Sequence, residues 1–225
     1  MKKVLITAPT SPLGKLFVKY FGGKGDFLFL HYRGTHHSKV DSLLSKYRGE
    51  GFHFEFTMDN ISDWIEEIEL IQPDILINNF GPFIYKDWRE QTPWEWRRIL
   101  EFNLILTFFS TQRALKLMEE QGYGRIINLG FHNLEKENLY FPNVLPYAIS
   151  KFGIKILTET IAKEIKTKDV TINLIAPEFV EGIKPQKESK SLSEKTLFPV
   201  LDEIIENSEN NGKLFFLKEA GRKSV

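Results

Sequence analysis

The stretch Lys3-Val4-Leu5-Ile6-Thr7-Ala8-Pro9-Thr10-Ser11-Pro12-Leu13-Gly14 decides the fold. Lys3–Thr7 is a near-continuous apolar run, the pattern of a strand covered on both faces. A short turn follows, and then Leu13–Phe21 with helical spacing. Proline suits the first turn of a helix, where a missing N–H costs nothing, so Pro12 reads as the helix start. The same order repeats along the chain. Phe27–His31, Phe52–Phe56, Ile75–Asn78, Arg125–Leu129 and Thr171–Ile175 read as strands, with Lys213–Leu217 as a last one. Lys39–Tyr47, Ile61–Ile71, Pro93–Glu120 and Pro146–Lys166 read as helices between them. This alternation predicts an α/β fold, a doubly wound parallel sheet flanked by helices. Ligands of such sheets sit beyond the carboxyl ends of the strands, at the topological switch point.

Composition bounds the rest. With 225 residues, 42% of them hydrophobic and 19 of them Phe, the chain has the material for one large core. A single domain over residues 1–225 is expected. Residues 182–195 (Gly182–Lys195), rich in Lys, Glu and Ser, are expected to be a mobile, lid-like excursion. Lysine plus arginine equals aspartate plus glutamate at 30 each, with no basic stripe, which argues against nucleic acid as a partner. The absence of cysteine excludes disulfides, thiolate metal sites and cysteine nucleophiles. After Met1-Lys2-Lys3 the apolar run ends at Thr7, short of the ~7–15 residues of a secretory signal core. No stretch approaches the ~20 apolar residues of a membrane span, so no membrane partner and a cytoplasmic location are expected. His36-His37 lies on a loop and reads as solvated or phosphate-facing, so no metal is expected.

Four patterns then fall in order and in register. Thr7–Gly14 follows the first strand, and Asn78-Asn79-Phe80-Gly81 follows the fourth. Asn103 lies in the long helix after it. The fourth, Tyr147-Ala148-Ile149-Ser150-Lys151, opens another helix and is followed by Asn173-Leu174-Ile175-Ala176-Pro177 on the sixth strand. Singly each is weak, but together they resemble classical short-chain dehydrogenases/reductases from residue 3 to about residue 181. The resemblance implies a Rossmann-type domain and a catalytic group of Tyr147, Lys151 and Asn103. It implies a dinucleotide held by Thr7, Pro9, Ser11, Leu13 and Gly14, by Asn79, Phe80 and Gly81, by Tyr147 and Lys151, and by Pro177 and Val180. It also implies a small-molecule carbonyl or alcohol substrate and a homo-oligomer, dimer or tetramer.

The physical reasons behind these residues differ. Glycines in the first turn let backbone approach a pyrophosphate whose charge meets a helix N-terminus. Here only Gly14 of the family's three remains, and a purely structural turn is the alternative. After the second strand comes His31-Tyr32-Arg33-Gly34, with no acid there for ribose hydroxyls. Arg33 can instead pair with a 2′-phosphate, so NADP is favoured over NAD. Tyr147 and Lys151, four apart, share one helix face. In the family the tyrosine gives a proton to a carbonyl oxygen as hydride arrives, and a nearby ammonium stabilises phenolate against its free pKa of about 10. Lys151 would supply that charge and hold the nicotinamide ribose, with Asn103 supporting it through a water.

The departures are as specific as the matches. Where the family has a serine after the fifth strand, this chain has Phe131, and no serine occurs between Ser110 and Ser150. An insertion in residues 132–146 brings His132 and Asn133, either of which can supply a donor or be an ordinary loop polar. Pro177 is followed by Glu178 rather than Gly, and Gly182 stands where a threonine often meets the cofactor. The segment before Lys213–Gly221 is shorter than in the family. Two functions stay open: an NADP(H)-dependent oxidoreductase, or an impaired dehydrogenase fold that binds a nucleotide or a partner. Phe80, Phe83, Trp88, Phe131, Tyr140 and Phe141 can line an aromatic substrate pocket or simply fill the core.

Overall fold

The computed structural model describes residues 1–131, 134, 139–177 and 193–217. Among these, seven strands form one parallel sheet in the order β3-β2-β1-β4-β5-β6-β7. The strands are β1 (Lys3–Thr7), β2 (Phe27–Tyr32), β3 (Gly49–His53), β4 (Ile75–Asn78), β5 (Gly124–Leu129), β6 (Val170–Pro177) and β7 (Leu214–Leu217). Helices α1 (Pro12–Gly23), α2 (His37–Leu44) and α7 (Glu194–Glu206) cover one face. Helices α3 (Ile61–Ile71), α5 (Leu106–Gln121) and α6 (Leu145–Glu164) cover the other. The short α4 (Pro93–Leu100) leads into α5. The central strands β4, β5 and β6 are buried along their whole length, which is why they read as continuous apolar runs.

The order of strand addition reverses between β1 and β4: β2 and β3 lie on one side of β1, and β4 begins the other side. The loops after β1 and β4 therefore diverge and open a crevice at the carboxyl edge. Thr7 pins that crevice. Its hydroxyl donates to the Ile77 carbonyl at 3.2 Å and accepts the Asn79 N–H at 2.8 Å.

Three expectations shift. The third strand lies at Gly49–His53 rather than Phe52–Phe56, because its register against Leu28–Tyr32 runs from Gly49. A Cβ at residue 49 would overlap the Leu28 carbonyl, so glycine permits the close approach that starts the ladder. The long helix expected over Pro93–Glu120 is interrupted by a wide π turn at Glu101–Ile105. The last part of the expected excursion is structured: Ser193 caps α7 through a reciprocal box with Thr196, and Glu194 and Lys195 begin the helix. Residues 182–192 lie outside the described residues. Helix α7 docks on α1 through apolar Leu197, Leu201 and Ile204 and through Tyr20 and Lys24, both bonded to Asp202 at 2.6 Å. Pro199 within it disguises the helix in the sequence.

Candidate active site

The turn after β1 is set by Ser11, whose side chain accepts the Gly14 N–H at 3.0 Å and so caps α1. Asn79 ties this turn to the loop after β4, donating to the Ala8 carbonyl at 3.0 Å and the Ser11 hydroxyl at 2.9 Å. Ala8 holds a left-handed φ of 49°, unusual for a residue with a side chain. Gly14 packs so closely beneath Ala8 and Pro9 that a Cβ would overlap the Ala8 carbonyl. The family's one retained glycine therefore serves packing between helix and turn.

Two adjoining cavities open at this edge. The first, about 310 Å³, is walled by Ser11, Pro12, Leu13, Asn79, Phe80, Gly81, Phe83, Leu129, Tyr147, Lys151 and Pro177. The second, about 550 Å³, shares Ala8, Ser11, Arg33, Phe80 and Gly81 with it and continues past His31, His36, Lys39, Glu55, Arg98 and Phe102. Together they give an elongated cleft, apolar at one end and charged at the other.

Tyr147 and Lys151 project from the first turns of α6 into the apolar end. The Lys151 Nζ donates to the carbonyl of Leu129, the last residue of β5, at 2.9 Å, and sits 5.3 Å from the Tyr147 ring centre. Edge-on contacts hold that ring on two sides, with Phe83 at 5.1 Å and Phe131 at 6.0 Å. Both polar groups are buried, and desolvation governs them. It pushes the Tyr147 phenol well above its ordinary range and lowers Lys151 to about 7. Burial thus opposes the ammonium effect expected from the sequence. At neutral pH the phenol keeps its proton, as a proton donor must, and Lys151 titrates in the physiological range.

Asn103 lies in the π turn between α4 and α5, an irregularity often found at functional sites. Its Nδ2 donates to the carbonyls of Pro82 and Ile99 at 3.0 and 3.1 Å, and its Oδ1 is buried without a hydrogen-bond partner. Gly81, at φ 145°, packs so tightly on this amide that a Cβ would overlap Oδ1.

Of the residues singled out in the sequence, Ser11, Leu13, Arg33, Asn79, Phe80, Gly81, Tyr147, Lys151 and Pro177 meet along the cleft. Thr7, Pro9, Gly14 and Asn103 stand behind its walls and brace them. Val180, His132, Asn133, Glu178, Gly182 and Gly221 lie outside the described residues. The six aromatics divide. Phe80 and Phe83 line the cavity, whereas Phe131 and Phe141 pack with Phe152 in a buried cluster. Trp88 and Tyr140 are exposed.

Sequence reasoning missed Glu55 and Arg98. The local reading found no acid beside Arg33, yet Glu55 reaches the same cavity from just beyond β3 and accepts the Gly34 N–H. That N–H, together with His53, holds its carboxyl below the usual range. The rule that ligands sit beyond the carboxyl ends of strands reaches Glu55 only once the third strand lies at Gly49–His53 instead of Phe52–Phe56. No signal in the local pattern points to Arg98. Among the described residues no metal-holding cluster of His, Asp or Glu occurs, and no helix is long and apolar enough to cross a membrane.

A doubly wound sheet whose switch-point crevice carries a Tyr–Lys pair defines a Rossmann-type α/β protein with a tyrosine–lysine site. The short chain dehydrogenase family model matches residues 2–191, and the chain belongs to that family. It is 29% identical over 157 residues to an acetoacetyl-CoA reductase of Cupriavidus necator, a match covering 65% of this chain and 62% of that protein. It is 30% identical over 207 residues to a 2-dehydro-3-deoxy-D-gluconate 5-dehydrogenase of Bacillus subtilis, covering 87% and 78%. In three dimensions it resembles a 3-oxoacyl (acyl-carrier-protein) reductase of Agrobacterium tumefaciens C58 with NADP bound. The TM-score is 0.81 at 20% identity, covering 96% of this chain and 92% of that one.

Proposed function

We propose that this protein is an NADP(H)-dependent oxidoreductase that moves a hydride to or from a small carbonyl or alcohol substrate. The observation that carries the reading is the buried Tyr147–Lys151 pair on the wall of the apolar cavity. The cleft fits a dinucleotide in shape and charge: Gly81 and the capped α1 N-terminus lie mid-way, and Arg33 stands at the polar end. Relatives that reduce acetoacetyl-CoA or oxidise a gluconate derivative, and a neighbour with NADP bound, support the same assignment.

When bound, the nicotinamide supplies a hydride equivalent to the carbonyl carbon. Tyr147 would give its hydroxyl proton to the carbonyl oxygen, so that ketone, hydride and proton together make the alcohol and Tyr147 is left as a phenolate to be reprotonated from solvent. A positioned acid of this kind contributes about 10²–10⁴ in rate. Lys151, held by the Leu129 carbonyl, binds ribose hydroxyls and, when charged, stabilises the phenolate left on Tyr147. Asn79 and Ser11 hold the phosphate-side turn in place. Phe80, Pro82 and Phe83 exclude water and suit a small, apolar carbonyl. The residue at the family's serine position, Phe131, cannot donate to that oxygen.

Ile149 and Ile156, seven apart on α6, are exposed on one helix face, which supports assembly with a second copy. Light scattering tests that assembly. The functional test is a thermal-shift titration with NADPH and NADH followed by turnover of a carbonyl panel. A larger shift with NADPH and measurable ketone reduction are expected. Equal shifts with both cofactors would overturn the NADP assignment. Tight NADPH binding without reduction would point to a nucleotide- or partner-binding protein instead.

A further inference from the structure

The charged end of the cleft holds more positive charge than Arg33 alone supplies. Arg33, from the loop after β2, and Arg98, from α4, both line the 550 Å³ cavity and also the smaller one beyond it. Each guanidinium rests on an aromatic ring, Arg33 on Phe102 at 4.3 Å and Arg98 on Trp94 at 5.1 Å. Such stacking fixes the planar head while leaving its edge free for hydrogen bonding. Neither forms an ion pair among the described residues, whereas neighbouring Arg97 is bound to Glu101 at 2.6 Å. Glu55, the carboxylate lining this cavity, is hydrogen-bonded to the Gly34 N–H and to His53 at 3.2 Å and acts on Arg33 through its charge without forming an ion pair with it. Lys39 and His36 add further donors at the rim. Burial pushes the Arg33 guanidinium below its ordinary range; the Glu55 carboxylate pulls the other way, and the like charge of Arg98 adds to the lowering. Two half-buried cations facing one space repel each other; Glu55 offsets part of that repulsion, and a dianion between them would offset the rest.

We propose that Arg98 is a specificity-determining residue: with Arg33 it forms a two-guanidinium clamp for a phosphomonoester, the 2′-phosphate on the adenosine ribose. The inference rests on the dinucleotide reading above and assigns its phosphate selectivity to a residue on α4, an element separate from the β2 loop. A pyrophosphate is not the group addressed, because the α1 N-terminus with its Ser11 cap lies in the middle of the cleft and serves that charge. Two bidentate guanidinium contacts match the three terminal oxygens of a phosphomonoester.

The test uses adenosine 2′,5′-bisphosphate and 5′-AMP as probes, titrated calorimetrically into the whole protein and into Arg98→Met, which keeps an apolar stem against Trp94. One charged contact is worth about 10- to 100-fold in affinity. Arg98→Met is expected to weaken the bisphosphate by that factor and leave 5′-AMP within about twofold, and Arg98→Lys should recover part of the loss. The bisphosphate advantage of the unmutated protein should also shrink as salt rises. Unchanged bisphosphate affinity in Arg98→Met, or equal weakening of both probes, would overturn the proposal. An Arg98-dependent bisphosphate site in a protein that never oxidises NADPH would leave the clamp standing and remove the oxidoreductase reading. Failure of the unmutated protein to prefer the bisphosphate would remove the clamp itself.

Discussion

Lys151 should destabilise the protein that carries it, and replacing it with methionine measures by how much. The side chain is 3% exposed, and burial lowers its pKa from 10.5 to about 7. Between those values the unfolded chain holds a proton that the native protein has released, so native stability rises with pH across that window. Below it, folding must bury a charged ammonium, at a cost on the order of 5 kcal/mol; above the unfolded value the cost vanishes. Methionine keeps most of the volume and carries no charge, but it leaves the Leu129 carbonyl without its 2.9 Å donor. An unpaired buried acceptor costs about 1–3 kcal/mol. The cofactor-free Lys151→Met protein should therefore be about 2–4 kcal/mol more stable than the parent at about pH 6. The gap should narrow as pH rises and change sign at about pH 9, where the lost hydrogen bond equals the remaining cost of burying the charge. Urea unfolding midpoints for both proteins across that range give the answer, and turnover should be lost throughout. A midpoint difference that does not vary with pH, or a variant less stable at every pH, would refute the argument from desolvation.

Tyr147→Phe keeps the ring between Phe83 and Phe131 and removes only the proton donor. Turnover should fall by about 10²–10⁴ with NADPH affinity nearly unchanged, and stopped-flow assays would detect retained activity that moves the acid elsewhere. Gly81→Ala places a methyl group against the buried Asn103 amide at a φ of 145°, so both folding stability and dinucleotide binding should drop. A variant with the parent's melting temperature and NADPH affinity would show that the loop after β4 relaxes freely. Phe131→Ser empties a ring site packed by Phe141 and Phe152, costing about 3–5 kcal/mol of stability. The same change should raise turnover of small ketones by restoring a donor beside Tyr147, an effect of about 10²–10³ at most. Slower reduction by Phe131→Ser would show that the native site has its own donor.

The periodic parts of the chain were legible because their physics is local. Strands β1 and β4 and helix α3 fall where the apolar runs and helical spacing put them, since burial on both faces demands unbroken runs of Val, Leu and Ile. Pro12 marks the start of α1 because its fixed φ and missing N–H suit only that position in a helix. Helix α7 was not legible. Pro199 sits inside it, and packing of Leu197, Leu201 and Ile204 on α1 outweighs that penalty. The third strand begins three residues before its apolar run because its position is set by register against β2, and register is a relation between distant segments.

The sequence by itself determined that Tyr147 and Lys151 share a helix face, that Arg33 follows β2 and that Phe131 stands where a donor would be expected. Those are consequences of spacing along one segment. Only the tertiary structure decided that desolvation outweighs the ammonium effect at Tyr147, that Gly14 serves packing, and that Phe131 joins an aromatic cluster. It alone brought Glu55 from the loop after β3 and Arg98 from α4 to the space beside Arg33. Burial, like-charge repulsion and close backbone approach depend on what surrounds an atom in three dimensions, and residues more than twenty positions apart in the chain carry no local trace of that meeting.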